Sequence, residues 1–330
     1  MRKRTWLKTL PLMAGAIALG LMTGKEALAA AGSYPDKPVS LVIPFAPGGA
    51  TDRLGRVVAQ GLAQRWNVPV VVENRSGAGG NVGAEVAARA KPDGYTLLFT
   101  ASNVFTVTPH LFRSSLDPMT AFAPVSMVAN EMFTLVVPAA LPVSNLNELL
   151  ELARSKPDSL TYGTPGVGSP HNLGNELLKS MANVDIRHVP YKGAAPAMPD
   201  LLEGRIDMWM GGVISVLPHI QSGALRALAV TGAERSDVLP ETPTMAEAGM
   251  PGYELTNWFA IVAPAGTDDA IVRKINQDVV AVMSDPAIRD SLAKEGIQAV
   301  SSSPEELGRI IQSDSERWGK VIRDAGIQVE

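Results

Sequence analysis

Two stretches of this sequence place glycines, hydroxyls and polar side chains where a strand would give way to a helix. The first is Phe45-Ala46-Pro47-Gly48-Gly49-Ala50-Thr51-Asp52. The second is Gly163-Thr164-Pro165-Gly166-Val167-Gly168-Ser169, followed by Pro170 and His171. Glycine at such a junction lets a ligand approach the backbone, and the unpaired N–H groups of a first helical turn favour an anion. Thr51, Thr164 and Ser169 add hydroxyls, and neither loop contains an arginine. The chemistry on offer is the holding of an anionic group by neutral donors. A plain tight turn accounts for either loop alone, whereas two such loops in two halves of the chain point to a shared site. Asp52 in a first helical turn is favoured by the helix dipole even without a ligand. Ser169 fits a ligand donor, and His171 fits a residue that caps or packs against its loop. Lys192 follows a further strand, where its loop could face the same cleft; a solvated lysine accounts for it equally well.

Other chemistries lack their residues. Neither loop carries the G-K-[ST] of a phosphate-binding loop, and Gly77-Ala78-Gly79-Gly80-Asn81-Val82-Gly83 breaks G-x-G-x-x-G at Val82. No G-x-S-x-G surrounds Ser169, and a histidine two residues away does not build a triad. His110, His171, His188 and His219 form no H-E-x-x-H or H-x-H pair. Cysteine is absent, which removes disulfides, thiolate metal sites and cysteine nucleophiles. No cofactor and no metal are expected.

Positioning such loops takes alternating strands and helices. The apolar run 39–45, ended by Pro-Gly-Gly, reads as a buried strand, and 51–65 carries Leu54, Val57, Val58 and Leu62 at helical spacing. Strands at 70–72 and 95–101 flank an Ala-rich helix at 82–90. This βαβαβ order implies a parallel sheet with helices on its faces. Two separate strands are expected at 125–129 and 133–138. The βα pattern then begins again with helices at 146–153, 172–181, 195–202 and 216–222 and strands at 160–163, 186–189, 206–210 and 225–230. A strand at 259–263 follows, then helices at 267–283, from Asp285-Pro286, and from Ser303-Pro304-Glu305-Glu306. Thr244–Glu247 reads as a capped helical turn closed by Gly249. Met208, Trp209 and Met210 read as core and cleft wall. The restart near Val136 and the return at Pro251-Gly252 divide the chain into residues 30–130 plus 252–330 and residues 131–251. The C-terminal helices are expected to cover the first unit.

The N-terminus is a leader by its pattern. Arg2, Lys3, Arg4 and Lys8 precede an apolar run at 10–22, too short to span a bilayer, and Ala27-Leu28-Ala29 supplies a cleavage site after Ala29. The mature chain keeps 24 basic and 32 acidic residues, a net charge of −8. That balance, without basic runs, argues against nucleic acid or anionic lipid as partner. At 46% hydrophobic and 19% charged, the 330 residues of the full sequence suffice for two cored domains.

These motifs resemble the receptors of the tripartite tricarboxylate transporter family, also called Bug proteins. The resemblance rests on the two loops together with Tyr34-Pro35-Asp36-Lys37-Pro38, Val72-Glu73-Asn74-Arg75-Ser76-Gly77-Ala78-Gly79-Gly80-Asn81 and Lys91-Pro92-Asp93-Gly94-Tyr95-Thr96-Leu97. Val189-Pro190-Tyr191-Lys192-Gly193, Gly204-Arg205-Ile206-Asp207 and Pro243-Thr244-Met245-Ala246-Glu247-Ala248-Gly249 complete it, in order along nearly the whole mature chain. The resemblance implies an α/β, type II periplasmic binding protein: two α/β domains joined by a hinge, with an interdomain ligand cleft. It places Phe45, Gly48, Gly49, Thr51 and Asp52 on one wall and Gly163, Thr164, Gly168, Ser169 and His171 on the other. Ser102, Asn103, Lys192 and Asp207 join them as ligand-binding candidates. Pro170 departs from a fully open helix start, since it removes one N–H. The implied role is a non-enzymatic, monomeric periplasmic receptor that hands a small carboxylate to membrane permease subunits. A receptor serving a sensor kinase and an exported hydrolase are the alternatives; the missing nucleophile motif and metal ligands weigh against the hydrolase.

Overall fold

The computed structural model describes residues 34–112, 116–191 and 194–328. The expected leader and its cleavage site, Lys192 and Gly193 lie outside the described residues.

The first half begins β1 (Val39–Ile43), α1 (Ala50–Trp66), β2 (Val70–Asn74), α2 (Asn81–Ala88) and β3 (Thr96–Ala101). β1 runs parallel to both β2 and β3. Its side chains are buried on both faces, as its nearly unbroken apolar run requires. α1 buries Leu54, Val58, Leu62 and Trp66, one stripe at four-residue spacing.

β4 (Phe122–Pro138) comes next, one 17-residue strand where two separate strands were expected. The polar pair Asn130-Glu131 interrupts the apolar pattern and reads as a break. It marks instead the point where the strand leaves one sheet for another. The second half then supplies α3 (Leu146–Ser155), β5 (Thr161–Thr164), α4 (Pro170–Ala182), β6 (Arg187–Pro190), α5 (Ala194–Leu202), β7 (Met208–Gly212), α6 (Val213–Gln221) and β8 (Leu225–Val230). β5 is parallel to β6 and β7. The chain returns through β9 (Thr256–Pro264), α7 (Asp269–Met283), α8 (Pro286–Lys294), β10 (Ile297–Ala299) and α9 (Pro304–Asp324).

The strands form one path, β2-β1-β3-β9-β4-β7-β5-β6, with β8 and β10 also paired to β4. Residues of β4 up to Met132 pair antiparallel with β9, and from Phe133 onward with β7 and β8. β4 is thus the shared spine of both sheets. The helix starts follow their signals: the Asp285 carboxylate accepts the Ala287 N–H, and Ser303 Oγ accepts the Glu306 N–H. Thr244 and Glu247 cap each other reciprocally, as the sequence pattern requires.

One packing expectation holds only in part. α7 covers the first sheet, with Ile275 and Val279 against Leu41 and Phe99. α9 covers both halves. Leu307 and Ile311 pack with Phe105 and Trp258, whereas Trp318, Val321 and Ile322 pack with Phe133, Leu173 and Met210. A helix of 21 residues is about 30 Å long, too long to end on one small sheet.

Candidate functional site

Both glycine loops stand at the C-terminal end of a parallel strand and at the start of a helix: β1 into α1 and β5 into α4. Ligands of open α/β sheets bind at this position.

In the first loop Gly48 adopts φ +87°, which glycine tolerates best. Its N–H donates to Asp52 Oδ2 at 2.9 Å, and Arg53 Nη1 donates to its carbonyl at 2.9 Å. Asp52 is 3% exposed and wholly engaged. Arg56 forks onto it, Nε to Oδ2 at 3.1 Å and Nη2 to Oδ1 at 3.0 Å. Asn74 Nδ2 donates to Oδ1 at 2.9 Å and also to the Phe45 carbonyl at 3.0 Å. The Arg56 guanidinium first, and the Gly48 and Asn74 donors after it, outweigh burial and hold the Asp52 carboxyl down at about 2. Asp52 therefore braces the loop. The donors left unspent are on the backbone. Gly49 caps α1 with extended geometry, φ −74° and ψ 171°, and without a side-chain bond. The first backbone bond runs from Arg53 N–H to the Gly49 carbonyl at 3.0 Å. The N–H groups of Gly49, Ala50, Thr51 and Asp52 have no partner among the described residues, nor has the Thr51 hydroxyl. Phe45 lies beside Gly80, where an added Cβ would come within 3.3 Å of its ring. Asn103 Nδ2 donates to the Gly79 carbonyl at 2.9 Å, so the 77–80 turn joins this wall.

The second loop repeats the plan. Gly168 adopts φ +73° and donates its N–H to Asn172 Oδ1 at 3.0 Å. Here the donors are mostly spent. Ser169 Oγ accepts the Asn172 N–H at 3.2 Å and donates to the Gly166 carbonyl at 2.7 Å, and the Ser169 N–H points to that same carbonyl at 3.3 Å. Pro170 has no N–H. Thr164 is fully buried, its Oγ1 2.6 Å from His188 Nε2 and accepting the Gly166 N–H at 3.2 Å. Gly163 is a packing glycine: an added Cβ would lie 2.6 Å from Ile206 Cδ1 and 3.0 Å from Trp209. His171 holds its ring tilted against two others, 4.8 Å from Phe133 and 5.7 Å from Trp209 between centroids. Burial pushes its imidazole down to about 4, so the ring is neutral near pH 7, and its buried Nδ1 has no partner among the described residues. Gly168 faces the other half of the molecule, where an added Cβ would come within 2.7 Å of Leu111 Cδ1.

Between the loops lie the crossing strands. Ser102, just past β3, donates its N–H to the Trp258 carbonyl at 2.8 Å and its hydroxyl to Asn257 Oδ1 at 3.1 Å. Asn257 on β9 sits opposite Glu131 on β4, and its Nδ2 reaches Glu131 Oε2 at 3.4 Å. Sequence reasoning missed both residues. The available signal was the carboxylate at 131 inside an otherwise apolar strand run. Asp207 is a correction. It sits at the N-terminal end of β7, where its carboxylate accepts the Thr161 N–H at 2.7 Å and hydroxyl at 2.8 Å. Thr161 opens β5 and Thr164 closes it, so Asp207 lies at the opposite end of these strands from the loop and clamps two of them together. Lys192 lies outside the described residues. A separate cavity of about 440 Å³ opens on the other face of β4, with Asn130, Met132, Ser236, Glu254 and Gln298 among its lining residues. Among the described residues, no three His, Asp or Glu side chains group as metal ligands.

Comparison with known proteins places this geometry. Residues 54–327 match the model of the tripartite tricarboxylate transporter family receptor. Protein BugT of Bordetella pertussis is 34% identical over 312 residues, covering 93% of this chain and 95% of BugT. The structure of R. palustris Rpa4515 with adipate superposes with a TM-score of 0.76 at 38% identity, covering 89% of this chain and 99% of that one. MatC from Rhodopseudomonas palustris with bound malate superposes with a TM-score of 0.72 at 30% identity, covering 88% and 100%. These likenesses extend over both halves of the molecule, and the family is one of solute-binding receptors with the periplasmic binding protein fold. The chain belongs to the tripartite tricarboxylate transporter receptor family.

Proposed function

We propose that this receptor captures the carboxylate of a small organic acid between its two glycine loops and passes the acid to the membrane subunits of its transporter. The observation that carries this reading is the row of four open N–H groups at the start of α1, joined by the unpartnered Thr51 hydroxyl. Such a row favours an anion through its partial positive charge, and no cation is needed beside it. The adipate and malate complexes of the two R. palustris relatives support an acid as ligand. Phe45, Asn103, Gly168, Ser169 and His171 shape the cleft around it.

The family is periplasmic, and no helix among the described residues is long and apolar enough to cross a membrane. Export through the leader with cleavage after Ala29, and action as a monomer, belong to the same reading. So does the layout: residues 30–130 with 252–330 form one lobe and 131–251 the other, hinged near 129–138 and 243–256. The change of sheet between Met132 and Phe133 supports that hinge. A thermal-shift panel of mono-, di- and tricarboxylates tests the reading, because a ligand of the native state raises the melting temperature. A cognate acid should also reduce the radius of gyration in small-angle scattering. A panel in which amines or sugars stabilise the protein and no acid does would overturn the proposal.

A further inference from the structure

Glu131 is a carboxylate at the centre of a site built for an anion. It stands on β4 at the change of sheet, one residue before the last pairing with β9 and two before the first pairing with β7. Its surroundings draw on β9, β7 and the start of α1. Phe133, on the same face of the strand, carries the His171 ring of the second loop at 4.8 Å. Burial pushes the Glu131 carboxyl upward, and the Asn257 amide and the field of Arg53, from the start of α1, work against that by favouring its charged form. An added Cβ on Gly212, at the C-terminal end of β7, would lie 2.8 Å from Glu131 Oε1.

The carboxyl is oriented yet incompletely satisfied. The Ser102 hydroxyl donates to Asn257 Oδ1, which turns the Asn257 amide so that Nδ2 faces Glu131 Oε2. No side chain or backbone group among the described residues donates to Oε1. Arg53 itself is tied to the Gly48 carbonyl and to Glu295. A carboxylate takes up to about four hydrogen bonds, and a half-buried one with a single long partner is costly unless a ligand completes it. Gly212 is the residue whose missing side chain makes room for Oε1 itself.

We propose that Glu131 is a specificity-determining residue that accepts a hydrogen bond from a hydroxyl or ammonium group on the ligand, so that the receptor selects substituted acids over plain ones. The inference rests on the carboxylate reading above. A second ligand carboxylate pointed at Glu131 meets like charge, whereas an O–H or N–H meets an open acceptor. The α1 start would hold the ligand's carboxylate, and the crossing strands would read what else the ligand carries.

The test uses acids of one skeleton differing in a single group: succinate, malate and aspartate, then glutarate, 2-hydroxyglutarate and glutamate, titrated calorimetrically into the purified full protein. In at least one series the hydroxy or amino member should bind about 10- to 100-fold tighter than the plain diacid, the span of one hydrogen bond to a charged group. Glu131→Gln keeps the shape and removes the charge; it should reduce that ratio to within about threefold for the amino acid. If Glu131→Gln does not fold, Ser102→Ala releases Asn257 with Glu131 in place, and the ratio should fall with it. The hydroxy or amino member distinguishes the two donors by which of them is preferred. Plain diacids binding as tightly as their substituted partners in both series would overturn the role of Glu131 and leave the carboxylate reading standing. No binding of any carboxylate in either series, with none in the wider panel, would overturn both. A preference unchanged in Glu131→Gln would place the selecting group elsewhere.

Discussion

At residue 48 and again at residue 168, a glycine in the left-handed region donates its N–H to a side chain four residues ahead. The positions then match one for one: Gly49 and Ser169 as helix caps, Ala50 and Pro170 as first helical residues, Thr51 and His171 next, Asp52 and Asn172 as braces. The plan is shared and the outcome differs. At the first junction four N–H groups stay open, and the brace is a charged carboxylate balanced by Arg56. At the second, Ser169 and Pro170 close the donors, leaving the His171 N–H, and the brace is a neutral amide that donates to Tyr162 Oη at 3.0 Å. Two halves with similar turns can therefore divide the work. One offers positive partial charge to an anion, and the other offers a shaped, mostly closed wall against it.

The largest expected effect comes from Gly49→Val. Its backbone is in the extended region and an added Cβ meets nothing closer than the Ala46 carbonyl at 3.8 Å, so the fold should survive. The branched side chain would stand over the open N–H row and displace two or more charge-assisted bonds, a loss of about 100-fold or more in affinity. Calorimetry on a soluble variant with a near-native melting temperature checks this. Undiminished binding would move the anion site away from the first junction.

Next is Asp52→Asn, which gives the first junction the neutral brace of the second. Asp52 is held at about 2 in the fold, against a usual value near 4 in the unfolded chain. Its contribution is in full force above about pH 4 and is lost as the pH falls through about 2. The variant should lose about 1–3 kcal/mol at pH 7. Urea midpoints of the two proteins should converge on acidification; a constant gap down to pH 2 would show that the charge is not what braces the loop.

How far the sequence revealed this arrangement depends on the kind of interaction. Both glycine loops, and the strands and helices that hold them, were legible, because period, cap and turn chemistry are local. The caps at Asp285 and Ser303 were legible for the same reason. The run from Phe122 to Pro138 was not, because Asn130 and Glu131 obey no period where a strand changes sheets. Asp207 was misplaced because the Gly204–Asp207 motif fixes neighbours along the chain and says nothing of which end of β7 it occupies. Glu131, Asn257 and Ser102 come together only through the β4·β9 register, which no window of sequence contains. The spending of the Thr164 hydroxyl on Gly166 and His188, and of the Ser169 hydroxyl inside its own loop, is likewise a matter of angles.

His171 gives the third test and belongs to the second junction alone, since its counterpart Thr51 does not titrate near neutrality. Burial keeps the ring neutral down to about pH 4, while the unfolded chain takes up the proton near pH 6.5. Stability should therefore fall as the pH drops from about 6.5 towards 4, by about 1–2 kcal/mol for this half-buried ring. His188 is shifted downward by burial too and adds to the same slope. His171→Phe preserves the contacts with Phe133 and Trp209 and should flatten part of that slope in denaturant titrations between pH 7 and 4.5. Equal slopes in variant and parent would mean that the ring is solvated in the fold.

The smallest effect, and the sharpest for the comparison, is at Ser169. Its hydroxyl is spent on the Asn172 N–H and the Gly166 carbonyl. Ser169→Ala should cost about 1 kcal/mol of stability, the usual value of a lost cap, with the denaturant slope unchanged. Affinity for the acid should change by less than about threefold, because no ligand bond is removed. Ser169→Gly copies Gly49 more closely. Glycine caps nearly as well as serine, so only a few tenths of a kcal/mol should be lost. The Asn172 N–H is then open, and the second junction gains the kind of donor that distinguishes the first. Affinity should hold or rise slightly in Ser169→Gly. A tenfold fall in affinity for either variant at near-parental stability would show that Ser169 turns its hydroxyl to the ligand, and the division of work between the two junctions would have to be redrawn.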